Sequence, residues 1–145
     1  MVIADLMLHK KLLIDDDLFK SQNNIEILKP MLRNELIYEY QNADILFLHL
    51  NDHKVFLKVL PSKIFEYAAT GKPILAGVSG YAAEFLKEEV KGVEVFDPCD
   101  VVSMKIGLEK LLSGPKIIDR HDFCLRYSRK KIMKKLAKDV LTLSN

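Results

Sequence analysis

The residues best suited to chemistry lie in one run, Pro61-Ser62-Lys63-Ile64-Phe65-Glu66-Tyr67. Pro61 ends a loop, and Ser62 is a residue type that caps a following helix by accepting hydrogen bonds from its first amides. The unpaired N–H groups of such a first turn, with the positive end of the helix dipole, attract a diphosphate. Lys63 adds a cation at the same end. Glu66 stands three residues after Lys63 and four after Ser62, so the three share one helix face. A carboxylate there can accept from sugar or ribose hydroxyls. Taken alone, the pattern also fits a plain capped helix, with Lys63 solvated and Glu66 complementing the dipole.

A helix terminus can meet a ligand only if strands hold it in place. Short apolar runs alternate with longer helical patterns along the chain, which predicts an α/β fold: a parallel sheet with helices on both faces. Strands are expected at Lys11 to Ile14, Ile25 to Leu28, Asp44 to Leu50, Pro73 to Gly77 and Val93 to Phe96. Their near-continuous apolarity suits strands covered on both sides. Helices are expected at Arg33 to Asn42, Ser62 to Thr70, Tyr81 to Glu89, Val101 to Leu112 and Ser128 to Leu143. Gly71 and Gly92 stand where C-terminal caps are wanted, and Gly114-Pro115 ends the fourth helix and opens a connection to the last. No repeat, low-complexity tract or linker divides the chain, so residues 1–145 read as one domain.

The continuation Ala68-Ala69-Thr70-Gly71-Lys72-Pro73-Ile74-Leu75-Ala76 supplies small residues for close helix-to-sheet packing, a glycine stop and an apolar strand. As a whole, PSKIFEYAATGKPILA resembles the signature of GT-B glycosyltransferases of the large retaining group 1 type, which build bacterial O-antigen, capsule and exopolysaccharide. The flanks are similar too. Asn24 to Leu28 looks like the family's strand before the nucleobase loop, Leu36 to Asp44 like its next helix, and Ala43 to Leu48 like the strand leading to the donor loop. Gly80-Tyr81-Ala82-Ala83-Glu84-Phe85 and Gly92 to Val95 fall in the expected places, and the likeness runs from about Leu12 to about Leu112.

The resemblance implies a Rossmann-like C-terminal domain that binds a nucleoside-diphosphate sugar at helix N-termini beyond the strands' carboxyl ends. By match, Glu66 would hold the ribose hydroxyls, with Pro61, Ser62 and Lys63 nearest the diphosphate. Lys29-Pro30-Met31 would flank the nucleobase, and Gly80 and Tyr81 would open a further helix toward the donor, although a plain turn explains them nearly as well. The family pattern has a second acid eight residues before Glu66, where this chain has Lys58. A lysine cannot accept from hydroxyls; it could meet phosphate or an acidic sugar, or simply be solvated. The family's N-terminal acceptor domain and its early basic pair have no counterpart, so the resemblance implies the donor-binding half of a longer hexosyltransferase, inactive alone. It implies no metal and no cofactor beyond the nucleotide-sugar substrate. His49 and His53 flank the donor loop without forming a metal-ligand spacing.

Two other readings bear on function. Leu13-Ile14-Asp15-Asp16-Asp17 is similar to the acidic pocket of a two-component receiver domain, but Asp44 begins its strand and Lys72-Pro73 precedes one, where a receiver needs the aspartate and lysine at strand ends. A non-catalytic nucleotide-sugar-binding module is the third reading, since fold does not fix function.

With a formal charge of +2, the chain offers no general attraction for nucleic acid. Cys99 and Cys124 lack metal-ligand spacing and read as reduced thiols of a cytoplasmic protein. No apolar run reaches the ~18 residues of a membrane span, and the N-terminus lacks a signal-peptide order. The last expected helix carries Ile132, Met133, Leu136, Ala137, Val140 and Leu141 on one face and Arg129, Lys130, Lys131, Lys134, Lys135 and Lys138 largely on the other. The sequence favours a docked helix with a solvated basic face over peripheral contact with the inner face of the cytoplasmic membrane.

Overall fold

The computed structural model describes residues 1–4 and 28–143. Four strands, β1 (Val2–Ala4), β2 (Ile45–His49), β3 (Ile74–Gly77) and β4 (Val93–Phe96), form one parallel sheet in the order β1-β2-β3-β4. Among the described residues six α-helices accompany them: α1 (Arg33–Asn42), α2 (Lys63–Ala69), α3 (Tyr81–Glu89), α4 (Val101–Ser113), α5 (His121–Arg126) and α6 (Arg129–Leu143). A short 3₁₀ helix, Lys54–Lys58, lies between β2 and α2.

Strand periodicity sorts the core into two layers. Leu46, Leu48, Ile74 and Ala76 face one way and pack with Tyr40 of α1, Ile64, Tyr67 and Ala68 of α2, Ala82, Phe85 and Leu86 of α3, and Phe123 of α5. Ile45, Leu75 and Phe96 face the other way, against Met104, Leu108 and Leu111 of α4. Helices therefore cover both faces, and this is the expected Rossmann-like α/β class. Each fully buried aliphatic such as Leu46, Ile64, Ile74 or Leu86 contributes about 1.5–3 kcal/mol by leaving water.

The helices α1 and α3 have the bounds expected from the sequence, and α4 ends one residue later, at Ser113. Other expectations need correction. The strand β1 was not foreseen, and α5 occupies part of what read as a plain connection. The loop before Pro61 holds the 3₁₀ helix. The expected strand at 11–14, Asp15 to Asp17, and nearly all of the strand at 25–28 lie outside the described residues; Leu28 itself is not in a strand. Cys99 and Cys124 are both free thiols. Among the described residues no helix is long and apolar enough to cross a membrane.

The sheet has two unlike edges. At the edge where β3 and β4 begin, the chain before α5 crosses back as a strap. The amide of Ile118 donates to the Gly71 carbonyl at 2.8 Å. Arg120, only 5% exposed, donates to the carbonyls of Lys91 (2.8 Å), Lys72 (2.9 Å), Gly92 (3.3 Å) and Ala68 (3.4 Å). Burial pushes its pKa down to about 10, so it stays charged at neutral pH. Gly92, at φ +65°, leaves room for the Ile118 side chain, whose atoms lie 2.6 Å from where a Cβ would stand. The strap ties the end of α2 to the turn before β4.

Candidate functional site

The opposite edge carries the strand C-termini, His49, Gly77 and Phe96. In a parallel sheet the segments that follow these ends, and the starts of helices running back along the strands, gather here. They are the chain before α1, the loop and 3₁₀ helix before α2, and the turns before α3 and α4.

Glu66 is the focus of the polar contacts. Lys63 lies one turn earlier, and its ammonium donates to Glu66 Oε2 at 3.1 Å and to the Tyr40 hydroxyl at 3.2 Å. Arg33, the first residue of α1, brings a guanidinium nitrogen to 4.0 Å from Oε1. The carboxylate keeps about a third of its surface open, while the Lys63 side chain is 19% exposed. Tyr40 is buried with its ring edge on to Tyr67, centroids 5.2 Å apart, and the Lys63 ammonium sits 5.7 Å from its ring centre. Tyr67 is buried against the sheet, its hydroxyl 3.5 Å from the Phe47 carbonyl. Two cations from different elements thus flank one partly open acceptor.

The helix start before this cluster differs from expectation. Ser62 has helical backbone angles, φ −59° and ψ −25°, and its hydroxyl makes no cap hydrogen bond. A side-chain cap needs an extended N-cap residue whose oxygen can reach back to the second or third amide. Here the turn is already closed: Ile64 N–H donates to Pro61 O and Phe65 N–H to Ser62 O, both at 3.1 Å. The N-terminus of α2 therefore has fewer open donors than a side-chain-capped helix was expected to present, and the hydroxyl of Ser62 is left for other partners.

Gly80 precedes α3 with φ +60° and ψ −139°, a conformation open in practice to glycine alone. A Cβ there would stand 2.3 Å from the Leu57 carbonyl oxygen. This contact seats the 3₁₀ helix, with exposed Lys58 at its end, against the start of α3. Tyr81 follows with half its surface exposed and its ring 6.5 Å from Phe85.

His49 closes the same edge. Its ring stacks with Phe47 and tilts over Phe96, centroids about 6 Å away in each case. Its Nε2 accepts from the Cys99 N–H at 3.2 Å, holding that residue at a left-handed φ of 68°. Burial lowers the His49 pKa, and Nε2 must be unprotonated to accept. Asp100 then caps α4 by accepting from the amides of Val102 and Ser103 and from the Ser103 hydroxyl. These bonds, that of the Ser103 hydroxyl first, hold its carboxyl below the usual carboxylate range.

Of the residues singled out in the sequence, Lys63 and Glu66 are in contact, with Pro61 and Ser62 directly ahead of α2. Pro30 and exposed Lys29 precede α1 by a few residues, so Arg33 links that segment to Glu66. Lys58, Gly80 and Tyr81 form a second group around Leu57. Met31 instead lines a surface hollow of about 500 Å³ with Asn34, Glu35, Tyr38 and Glu39. That hollow lies on the face of α1 turned away from Arg33 and Tyr40, so it is not the cluster around Glu66. Sequence reading missed Arg33 and Tyr40 as partners; their spacing of seven, which puts both on one helix face, was the available signal. Asp44 precedes β2 and Lys72 precedes β3, so both sit at the edge away from the strand C-termini. Among the described residues no three His, Cys, Asp or Glu side chains gather to hold a metal.

Comparison with known proteins identifies the family of the chain. The family described as Glycosyl transferases group 1 matches residues 9–131. Neither curated proteins nor solved structures gave a match. The family match takes in the sheet from β2 to β4, the Glu66 cluster, the Gly80 turn and the Arg120 strap; the chain belongs to the group 1 glycosyltransferases, and it is a glycosyltransferase domain.

Proposed function

We propose that the chain is the donor-binding domain of its glycosyltransferase and holds a nucleoside-diphosphate sugar at the C-terminal edge of the sheet. The observation that carries this reading is the Glu66 carboxylate, about a third open, hydrogen-bonded by Lys63 and approached by Arg33 at the edge where open α/β sheets bind ligands. Glu66 accepts from the ribose hydroxyls. Lys63 and Arg33 keep its charge in place and lend positive potential to the neighbouring diphosphate, beside Pro61 and the uncommitted hydroxyl of Ser62. Pro30 and Met31 flank the base, Gly80 and Tyr81 border the sugar side, and Lys58 meets a phosphate or an acidic sugar.

In the reaction, a sugar passes from the nucleotide to an acceptor hydroxyl, and the developing charge on the diphosphate is stabilised by cations and oriented amides. No metal is assigned. The acceptor is bound by a separate N-terminal domain, so this chain alone binds without turning over. The biological setting is cytoplasmic synthesis of a bacterial surface polysaccharide such as O-antigen or capsule; this rests on the likeness of PSKIFEYAATGKPILA to enzymes of that kind.

Titration calorimetry with UDP, GDP and ADP tests the site. One of the three binds, and Glu66→Ala weakens it by about tenfold or more, the worth of one or two hydrogen bonds to a charged acceptor. Glu66→Gln, which still accepts but carries no charge, falls between. Equal binding by the wild type and Glu66→Ala would remove Glu66 from the site.

A further inference from the structure

Glu66 stands on α2, but both of its cationic contacts lead back to α1. Arg33, the first residue of α1, approaches Oε1 directly, at 4.0 Å and with 77% of its side chain exposed. The second route is indirect. Tyr40, seven residues later on the same face of α1, accepts from the Lys63 ammonium at 3.2 Å, and that ammonium donates to Oε2 at 3.1 Å. The two routes differ in firmness. A long contact that is open to water restrains a carboxylate little. Tyr40, by contrast, is 2% exposed and belongs to the same core cluster as Ile64 and Tyr67 of α2.

A ring at that depth needs no hydroxyl in order to pack; phenylalanine would fill the space, and a buried oxygen is costly unless it is hydrogen-bonded. Lysine has the opposite difficulty. Its stem is flexible, and an ammonium left to itself samples many positions in water. The contact between the two side chains meets both needs. The Tyr40 hydroxyl accepts from the ammonium, the centre of its ring lies 5.7 Å from Nζ, and the Lys63 side chain is held at the seam of α1 and α2 with 19% of its surface exposed. From that fixed point the ammonium binds Oε2. One carboxylate oxygen is thereby tied to the protein, and the group as a whole keeps a set orientation while remaining partly open.

We propose that Tyr40 is a positioning residue for ribose recognition, which acts through Lys63 to orient the Glu66 carboxylate; this rests on the reading of Glu66 as the acceptor of the ribose hydroxyls. Tyr40→Phe is the test, since it keeps the ring and removes the hydroxyl. In the ligand-free 145-residue chain, carbon-13 relaxation at the end of the Lys63 side chain should show its order falling toward that of exposed Lys58. Unchanged order overturns the proposal. In titration with UDP, GDP and ADP, the variant should bind the preferred nucleotide about three- to fivefold more weakly, the worth of one hydrogen bond. The 2′,3′-dideoxy form of that nucleotide offers Glu66 no hydroxyl, so its affinity should not change. An equal loss for both forms would assign Tyr40 to packing and overturn the proposal. In a Lys63→Met background, Tyr40→Phe should cost nothing further, and losses that add would mean that Tyr40 does not act through Lys63. A loss in Glu66→Ala without one in Tyr40→Phe removes the role of Tyr40 alone. Wild-type affinity in Glu66→Ala, or no binding of any of the three nucleotides, removes it together with the reading of Glu66.

Discussion

Removing the guanidinium of Arg120 should be among the most damaging single changes outside the apolar core. The side chain is almost fully buried and among the described residues pairs with no carboxylate; its charge is spread over four backbone carbonyls. Two of these bonds, to Lys91 and Lys72, are 2.8 and 2.9 Å long, and each is worth about 1.5–3 kcal/mol as a charged hydrogen bond. The two longer ones, to Gly92 and Ala68 at 3.3 and 3.4 Å, add less. Arg120→Met fills similar volume but leaves these carbonyls facing a thioether. Against that, the variant no longer buries a charge, and the downward shift of the Arg120 pKa to about 10 shows that this burial is unfavourable. The net expectation is a loss of about 3 kcal/mol, or a melting temperature lower by about 10 °C for a domain of this size. Urea titration followed by circular dichroism measures it, with an unchanged slope identifying a native-state effect. Arg120→Lys can reach only part of the carbonyl set and should lose an intermediate amount. A loss below about 1 kcal/mol in Arg120→Met, or a lysine variant as stable as the wild type, would refute the strap as a stabilising device.

Gly80→Ala should cost about 2 kcal/mol or more, because an alanine is strained at φ +60° and its Cβ would meet the Leu57 carbonyl at 2.3 Å; a loss under about 0.5 kcal/mol in equilibrium unfolding would mean that the turn relaxes freely. His49 gives a pH dependence of definite sign. Its folded pKa lies below the unfolded value of 6.5, so below that pH the unfolded chain binds the proton more readily. This contribution to stability is complete above pH 6.5 and is lost as pH falls toward the lower folded value. Urea midpoints between about pH 7.5 and about pH 5 should show it, and His49→Gln should flatten the slope; an identical slope in the variant would assign the effect to other groups.

The parts of the fold legible in the sequence are those specified locally. Tyr81–Glu89 lies between Gly80 and Gly92 and Arg33–Asn42 follows Pro30, residue types that break helices by their own chemistry, and β3 and β4 are largely apolar runs too short to be helices. The 3₁₀ helix KVFLK and the six residues of α5 are shorter than the window over which periodicity can be read. Ser62 failed as a cap because Pro61 O already accepts from Ile64, a choice of backbone geometry that residue type does not encode. Glu66 was legible as a neighbour of Lys63, three residues earlier on one helix face. Its supports were not, because Tyr40 stands 23 residues from Lys63 and Arg33 is brought close only by the packing of α1 on α2. Arg120 was invisible for a related reason: arginine is usually a surface residue, and nothing in the local sequence announces the carbonyls of Lys72, Lys91 and Gly92 converging on it.

These two clusters sit at opposite edges of one sheet, and that separation makes their roles testable against each other. The Arg120 strap joins the end of α2 to the turn before β4, while Lys63 and Glu66 lie in the first turn of the same helix. The helix α2 is therefore anchored at one end and exposes its acceptor at the other. Loss of Arg120 lowers global stability but leaves the Lys63–Glu66–Arg33 geometry intact in the molecules that remain folded, so nucleotide affinity measured well below the melting temperature should be unchanged. Glu66→Ala should do the reverse, weakening the nucleotide while moving the urea midpoint little, since it removes two partly exposed ion pairs, with Lys63 and Arg33, each worth at most about 1 kcal/mol. The double variant should show both effects in sum, because the groups share no partner. Coupling between them would mean that α2 shifts as a rigid rod when its anchor is cut, and that the site depends on the strap for its shape as well as its stability.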